Sequence, residues 1–182
     1  ATRFNDMGPA RWRELAQGCG NEGLCQIDPL LPELIESQLA DITASWPADL
    51  PCGTIHADLF CDNVLMLGSE VTGLIDFYFA CTDILAYDVA VTHAAWCFSD
   101  DGARFDPALS EALLQGYESI RPLSQDERAA LPLLARGAAL RFLMTRAYDW
   151  LHTPADALVT RKDPLAFSRR LQFYAANHSL FS

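Results

Sequence analysis

Between Gly53 and Phe77 the chain reads GTIHADLFCDNVLMLGSEVTGLIDF, and no other stretch limits its fold so tightly. His56, Asp58 and Asn63 spell H-x-D-x-x-x-x-N, and Asp76 follows in an apolar-Asp-Phe triplet, thirteen residues after Asn63. Two short apolar runs, from Asn63 to Leu67 and from Val71 to Asp76, flank Gly68-Ser69-Glu70, a turn signal of the kind that joins antiparallel strands. A strand, a loop and a β-hairpin are therefore expected here. With Ser69 and Glu70 as the two central loop residues, residue 68 pairs with 71 and Asn63 falls opposite Asp76. Their Cβ atoms are then about 5 Å apart, near enough for an amide oxygen and a carboxylate to share one small hard cation.

Asp58 lies five residues before Asn63, on the loop that enters the same hairpin. From there it can face a cation held by Asn63 and Asp76 without ligating it. That arrangement suits transfer of a phosphoryl group, which asks for metal ions to neutralise phosphate oxygens and for a carboxylate to orient the attacking hydroxyl and accept its proton. Asp58 is the candidate base, and Asn63 and Asp76 are the candidate magnesium ligands. His56, at the end of an apolar strand, is read as a hydrogen-bonded loop anchor rather than a proton shuttle.

Outside the hairpin the chain is expected to be helical. Asp28-Pro29, Asp106-Pro107 and Asp163-Pro164 each set a capping carboxylate before a proline suited to the first helical position, so three helices are predicted to begin there. Leu31, Leu34, Ile35, Leu39 and Ile42 recur at the spacing of one face of an amphipathic helix ending near Trp46-Pro47. Ser124-Gln-Asp-Glu127 is a capping box that opens a helical region from about 125 to 151, which Pro132 is expected to kink or divide. Trp96, Phe98, Leu140, Phe142, Leu143, Tyr148 and Trp150 are read as core packing. Arg136, Arg141 and Arg146 fit no simple pattern. Arg141, flanked by Leu140, Phe142 and Leu143, calls for an anionic partner, either an internal acid or a substrate carboxylate.

Composition narrows the partners. Twenty-four acidic residues against thirteen basic give a net charge of −11, which argues against nucleic acid or an anionic membrane surface. Six cysteines form no C-x-x-C pair and no zinc spacing, and read as small buried hydrophobes of a reducing, cytoplasmic compartment. No apolar run reaches the roughly 18 residues of a membrane span, and no leader pattern precedes the fold. One domain with a substantial core is expected for 182 residues, with neither repeats nor an interdomain linker. Gly18-Cys-Gly20-Asn-Glu-Gly23 matches G-x-G-x-x-G literally, but it trails the run PARWRELAQ, which is expected to be helical, and carries Glu22 where phosphates would approach. It is expected to be a connecting loop.

The hairpin and the run LIDFYFACTDILAYDVAVTHAAWCF after it resemble the C-terminal lobe of the aminoglycoside and choline kinase-like phosphotransferases, and within them the bacterial homoserine kinases. The likeness extends to Arg121-Pro-Leu-Ser, to LPLLARGAALRFLMTRAYDWL and to Lys162-Asp-Pro-Leu. It implies an α+β, mainly helical lobe of the protein-kinase-like type with a small catalytic β-hairpin. By resemblance Asp58 is the catalytic aspartate, Asn63 and Asp76 are the magnesium ligands, and Asp88 braces the catalytic loop beside His56. ATP and Mg²⁺ are implied as co-substrate and cofactor.

Kinases of this architecture hold ATP between two lobes, the smaller supplying a glycine-rich strand turn and a strand lysine. This chain has one lysine, Lys162, close to its C-terminus. Residues 1–182 are therefore expected to be the catalytic and substrate-binding lobe alone, inactive without an N-terminal nucleotide-binding lobe that the chain lacks. The resemblance implies homoserine as substrate and O-phosphohomoserine, a precursor of threonine, as product, with Asp83 and Arg141 as guesses for its amine and carboxylate partners. An aminoglycoside or amino-alcohol kinase, or a non-catalytic binding module, are the alternatives.

Overall fold

The computed structural model describes residues 3–154, 157–158 and 160–181. Helices α1 (Pro9–Cys19), α2 (Asn21–Ile27) and α3 (Leu31–Ser45) come first. Strands β1 (Cys52–Ile55), β2 (Val64–Leu67), β3 (Glu70–Leu74) and β4 (Cys81–Ile84) follow, then α4 (Leu85–Trp96), α5 (Pro107–Ile120), α6 (Gln125–His152) and α7 (Leu165–Ala176). The chain is mainly helical with two small antiparallel sheets, β1 with β4 and β2 with β3. Strand β1 falls where a strand was expected before the loop, but its partner β4 departs from the expectation that the chain is helical after the hairpin. β4 is a four-residue strand whose signal is hidden by its direct continuation into α4. Among the described residues no helix is long and apolar enough to cross a membrane.

Helix α6 is the axis of the core. Its capping box is complete: Ser124 Oγ accepts from Glu127 N, and the Glu127 carboxylate accepts from Ser124 N at 3.0 Å. Pro132 does not divide the helix, which runs through to His152. Leu131 and Leu134 beside it are fully buried, and this burial holds the helix through the one lost hydrogen bond. Leu140, Leu143 and Met144 are also fully buried, whereas Tyr148 and Trp150 are 40% and 38% exposed and are not core residues, because they lie on the outer side of a last stretch whose inner side is Ala147 and Leu151. Gly137 is in mid-helix for a packing reason. A side chain there would run into Trp46 and Trp12, whose rings meet edge to face at 5.1 Å. That contact outweighs the roughly 1 kcal/mol that glycine costs a helix interior.

Helix starts follow the sequence in part. Asp106 caps α5, accepting from Ala108 N and Leu109 N, with Pro107 in the first position. Asp28 instead accepts from Leu30 N at 2.8 Å within a turn, so α3 begins at Leu31. Asp163 does the same for Leu165 N, and Pro164 is the N-cap of α7 rather than its first residue. Both aspartates close local turns, which competes with capping. The G-x-G-x-x-G run is not an open loop: Gly18 lies in the last turn of α1, Gly20 is the single junction residue, and Gly23 lies within α2 against Leu151. The apolar face of α3 is as read, with Leu31, Ile35, Leu39 and Ile42 buried and Leu34 partly so.

The β2–β3 register also differs from the expected one. Leu67 pairs with Glu70 and Met66 with Val71, then a bulge between Leu65 and Met66 moves the pairing to Leu65 with Gly73 and Val64 with Leu74. The two loop residues are Gly68 and Ser69, because a two-residue hairpin turn needs a positive φ and Gly68 supplies it at +62°. Continued by one residue, this register sets Asn63 against Ile75, whose N–H donates to Asn63 O at 3.0 Å. Asp76 comes one residue later than the expected pairing placed it.

Candidate active site

Strand β1 delivers the chain to His56, and its partner β4 leads straight into α4, so the first turn of α4 lies beside the loop that leaves β1. Asp88 in that turn accepts from His56 N at 2.9 Å and from Ala57 N at 2.7 Å. A carboxylate in the first turn of a helix is also favoured by the helix dipole. Ala57 has φ +62°, a conformation that costs a residue with a Cβ about 1 kcal/mol or more and persists only where its surroundings fix it. They do so from both sides. Its N–H is held by Asp88, and its carbonyl accepts from Arg141 Nη1, reaching across from α6.

This clamp aims Asp58. Its side chain is 18% exposed, and Arg141 Nη2 stands 3.8 Å from Asp58 Oδ1. Burial pushes the Asp58 carboxyl above the usual aspartate range; Arg141 opposes the shift, the charge of Asp76 adds to it, and the net direction is upward. Arg141 itself is buried, with its guanidinium 4.4 Å from the Phe142 ring and 5.2 Å from that of Phe79. Between the two partners that its sequence setting left open, the internal acid is the one in contact.

His56 ties the two halves together. Its Nε2–H donates to Ile75 O at 2.9 Å, and its ring lies 4.8 Å from that of Phe77, so the residue before Asp76 and the residue after it are both held. Asp76 adopts the left-handed conformation, φ 60° and ψ 60°, which aspartate tolerates better than most residues and which turns the chain out of β3. Asn63 closes a short 3-10 turn, Cys61–Asn63, and its Nδ2 donates to Asp58 O at 2.8 Å. That bond fixes the amide so that its oxygen remains free to accept.

Asp58, Asn63, Asp76, Arg141, Arg146 and Asp149 line one cavity of about 280 Å³, with Lys162 at its edge. Asp83 is not among them. Its carboxylate accepts from Asn5 Nδ2 at 2.6 Å and from Ile84 N at 2.7 Å, on β4 opposite Gly53. Sequence reasoning missed Arg146, Asp149 and Lys162 as site residues. For the first two a signal was available, since positions 142, 145, 146 and 149 fall on the helical face that carries Phe142. Lys162 reaches the site from the segment before α7, and its Nζ meets Asp62 at 3.1 Å, a contact that nothing local announces. Of the other internal arginines, Arg136 pairs with Asp41 at 2.6 Å, away from this cavity.

By donor type, Asn63 and Asp76 could hold a magnesium ion. Asn63 offers a neutral amide oxygen and Asp76 an exposed carboxylate with no protein partner among the described residues; both are hard donors. Among the described residues no group of three or more His, Cys, Asp or Glu forms a metal cage. Magnesium does not need one, because one or two protein ligands usually suffice when substrate phosphates complete its shell.

The model of the phosphotransferase enzyme family matches residues 1–123, which include Asp58, Asn63, Asp76 and Asp88. The chain belongs to that family. Among curated relatives of the chain, the homoserine kinase of Gluconobacter oxydans is 56% identical over 98% of this chain and 57% of its own length. The homoserine kinase of Gluconacetobacter diazotrophicus is 54% identical over 100% of this chain and 57% of its own length. That of Agrobacterium fabrum is 57% identical over 82% of this chain and 46% of its own length. The chain thus spans about half the length of the curated relatives it matches.

Proposed function

We propose that this chain is the catalytic and substrate-binding lobe of an ATP-dependent kinase that phosphorylates homoserine to O-phosphohomoserine. The observation that carries the reading is the meeting of Asp58, Asn63 and Asp76 in one cavity of a chain 56% identical to a homoserine kinase. In this reading Asp58 orients the substrate hydroxyl and accepts its proton, and Asp88, Arg141 and His56 hold Asp58 in place. Asn63 and Asp76 would hold Mg²⁺, whose charge would offset that of the transferring phosphate.

The hairpin supports a two-lobed enzyme. Leu65, Met66, Leu67, Val71, Leu74, Ile75, Phe77 and Tyr78 are all exposed, although soluble surfaces seldom gather so many large apolar groups without a partner. We assign this face to contact with a nucleotide-binding lobe, which would also provide the phosphate-holding lysine that the strands here do not carry. Positioning supplies much of the catalysis in phosphoryl transfer, so the lobe alone should bind Mg·ATP weakly and turn over negligibly.

ADP release by the full-length protein that carries this chain, assayed with homoserine, choline and an aminoglycoside, tests the substrate. Homoserine should be preferred by at least about 100-fold in kcat/KM, the discrimination that a site built for the substrate's polar groups supplies. A preference for either of the other two would overturn the homoserine assignment and leave the kinase assignment standing.

A further inference from the structure

Helix α6 presents three charged groups to the catalytic cavity, and only one is committed to the protein. Arg141 holds the Ala57 carbonyl and faces Asp58. Arg146, half-buried, has no carboxylate within salt-bridge distance among the described residues; its one hydrogen bond among them is a long one, 3.4 Å from Nη1 to Asp163 O. Its guanidinium lies 4.5 Å from the Phe167 ring and 5.9 Å from that of Phe60, while Asp163, Asp62 and Asp58 act on it from beyond ion-pair distance. Burial, with Arg170 adding to it, brings its pKa down to about 10, which leaves it charged and poorly solvated at neutral pH. Asp149 is one helical turn further along the same face. Its carboxylate has neither a hydrogen bond nor an ion pair among the described residues; the residue is exposed overall, and partial desolvation pushes its pKa up against the pull of His152.

An arginine and an aspartate three apart on a helix commonly pair with each other. These two do not, and each lines the cavity that holds Asp58 without an ion pair of its own among the described residues. A complementary ligand carries an anion and a cation on neighbouring atoms and a hydroxyl a short distance away. We infer that Arg146 and Asp149 form a clamp for an α-amino acid, Arg146 taking the carboxylate and Asp149 the ammonium, with the side-chain hydroxyl toward Asp58. The inference rests on the homoserine reading and replaces Arg141 and Asp83 as the groups that recognise its two charged ends. A planar guanidinium suits a carboxylate by paired hydrogen bonds, which a lysine does not reproduce.

Two analogues separate the ends of the substrate: 3-aminopropan-1-ol lacks the carboxylate of homoserine, and 4-hydroxybutyrate lacks its ammonium. In the full-length protein, Arg146→Met should raise KM for homoserine by about 30-fold with kcat within about threefold, the size expected for a lost charge-assisted pair. The wild-type preference for homoserine over 3-aminopropan-1-ol should shrink by the same factor. Asp149→Asn should erode the preference over 4-hydroxybutyrate instead. Each preference is a ratio within one protein sample, so partial misfolding of a variant cancels, and Arg146→Lys, which keeps the charge but not the fork, should fall between wild type and Arg146→Met. A fall in kcat at unchanged KM overturns the clamp, because Arg146 would then act on the transferring phosphate. So do unchanged preferences in a wild type that does use homoserine. A wild type that does not phosphorylate homoserine defeats the substrate reading itself, and the clamp with it.

Discussion

The two sides of the cavity are built in opposite ways. On the side of Asp58 every approach is braced: Asp88 holds two successive backbone N–H groups from one direction, Arg141 holds the carbonyl from the other, and both come from helices of the core. On the side of Asp76 the hairpin projects with its apolar residues exposed, and its link to the rest of the site is the His56 bond to Ile75 O together with the Asn63 bond to Asp58 O. In the proposed reading the difference follows from what each side would handle. A general base must stay within hydrogen-bond reach of one hydroxyl, and small misplacements there are expensive in rate. A cation shared with a nucleotide takes part of its geometry from the phosphates, so its protein ligands need less fixing.

The contrast is sharpest in activity. Asp58→Asn should lower kcat by about 10² to 10⁴, with a much smaller change in KM for ATP, since the lost group serves the hydroxyl. Asp76→Asn should remove most of the activity as well, but with a magnesium dependence shifted to higher concentration, because an amide lacks the charge that holds the cation. Steady-state kinetics of both variants against Mg²⁺ check the division. Asp76→Asn activity within about threefold of wild type at saturating Mg²⁺ would take the metal role away from Asp76.

Stability should divide in the same way, with a smaller effect. Asp88→Ala leaves the N–H groups of His56 and Ala57 without their acceptor and releases the strained Ala57, which should cost about 2 to 4 kcal/mol. Thr72→Ala removes one exposed hydrogen bond, Oγ1 to Leu65 O at 3.2 Å, and should stay within about 0.5 kcal/mol. Urea unfolding of the two variants gives the comparison directly. Similar losses for both would mean that the hairpin is as tightly integrated as the loop.

Much of this site could be read from local sequence. The H-x-D-x-x-x-x-N run, the capping box at Ser124 and the periodic face of α3 each depend on residues a few positions apart, and local chemistry determines them. The hairpin register went astray by one residue through a bulge and a displaced turn, features that depend on which φ values Gly68 and Ser69 adopt once strands pair. Arg141 and Asp83 illustrate the deeper limit. Their chemistry suited a charged substrate, but only the packing of α6 against the loop, and of β4 against β1, decides what each one faces. Lys162 enters the site by the same long-range route.

The subtlest expected effect concerns how the braced side sets the protonation of its own base. Asp58 is raised above the ordinary aspartate range by burial first and by Asp76 in addition, while Arg141 pulls it back. Arg141→Met removes that opposing charge and keeps an apolar side chain between Phe79 and Phe142, so the Asp58 pKa should rise further. The base works when deprotonated, so activity is lost as pH falls through its pKa, and the acid limb of kcat/KM for the phosphoryl acceptor should move to higher pH in the variant. In Asp76→Asn the sign reverses: a neighbouring negative charge disappears, and the limb of the residual activity should move to lower pH. Profiles recorded for both variants at constant ionic strength decide the matter. Two limbs displaced in the same direction, or neither displaced, would show that the acid limb belongs to a group other than Asp58.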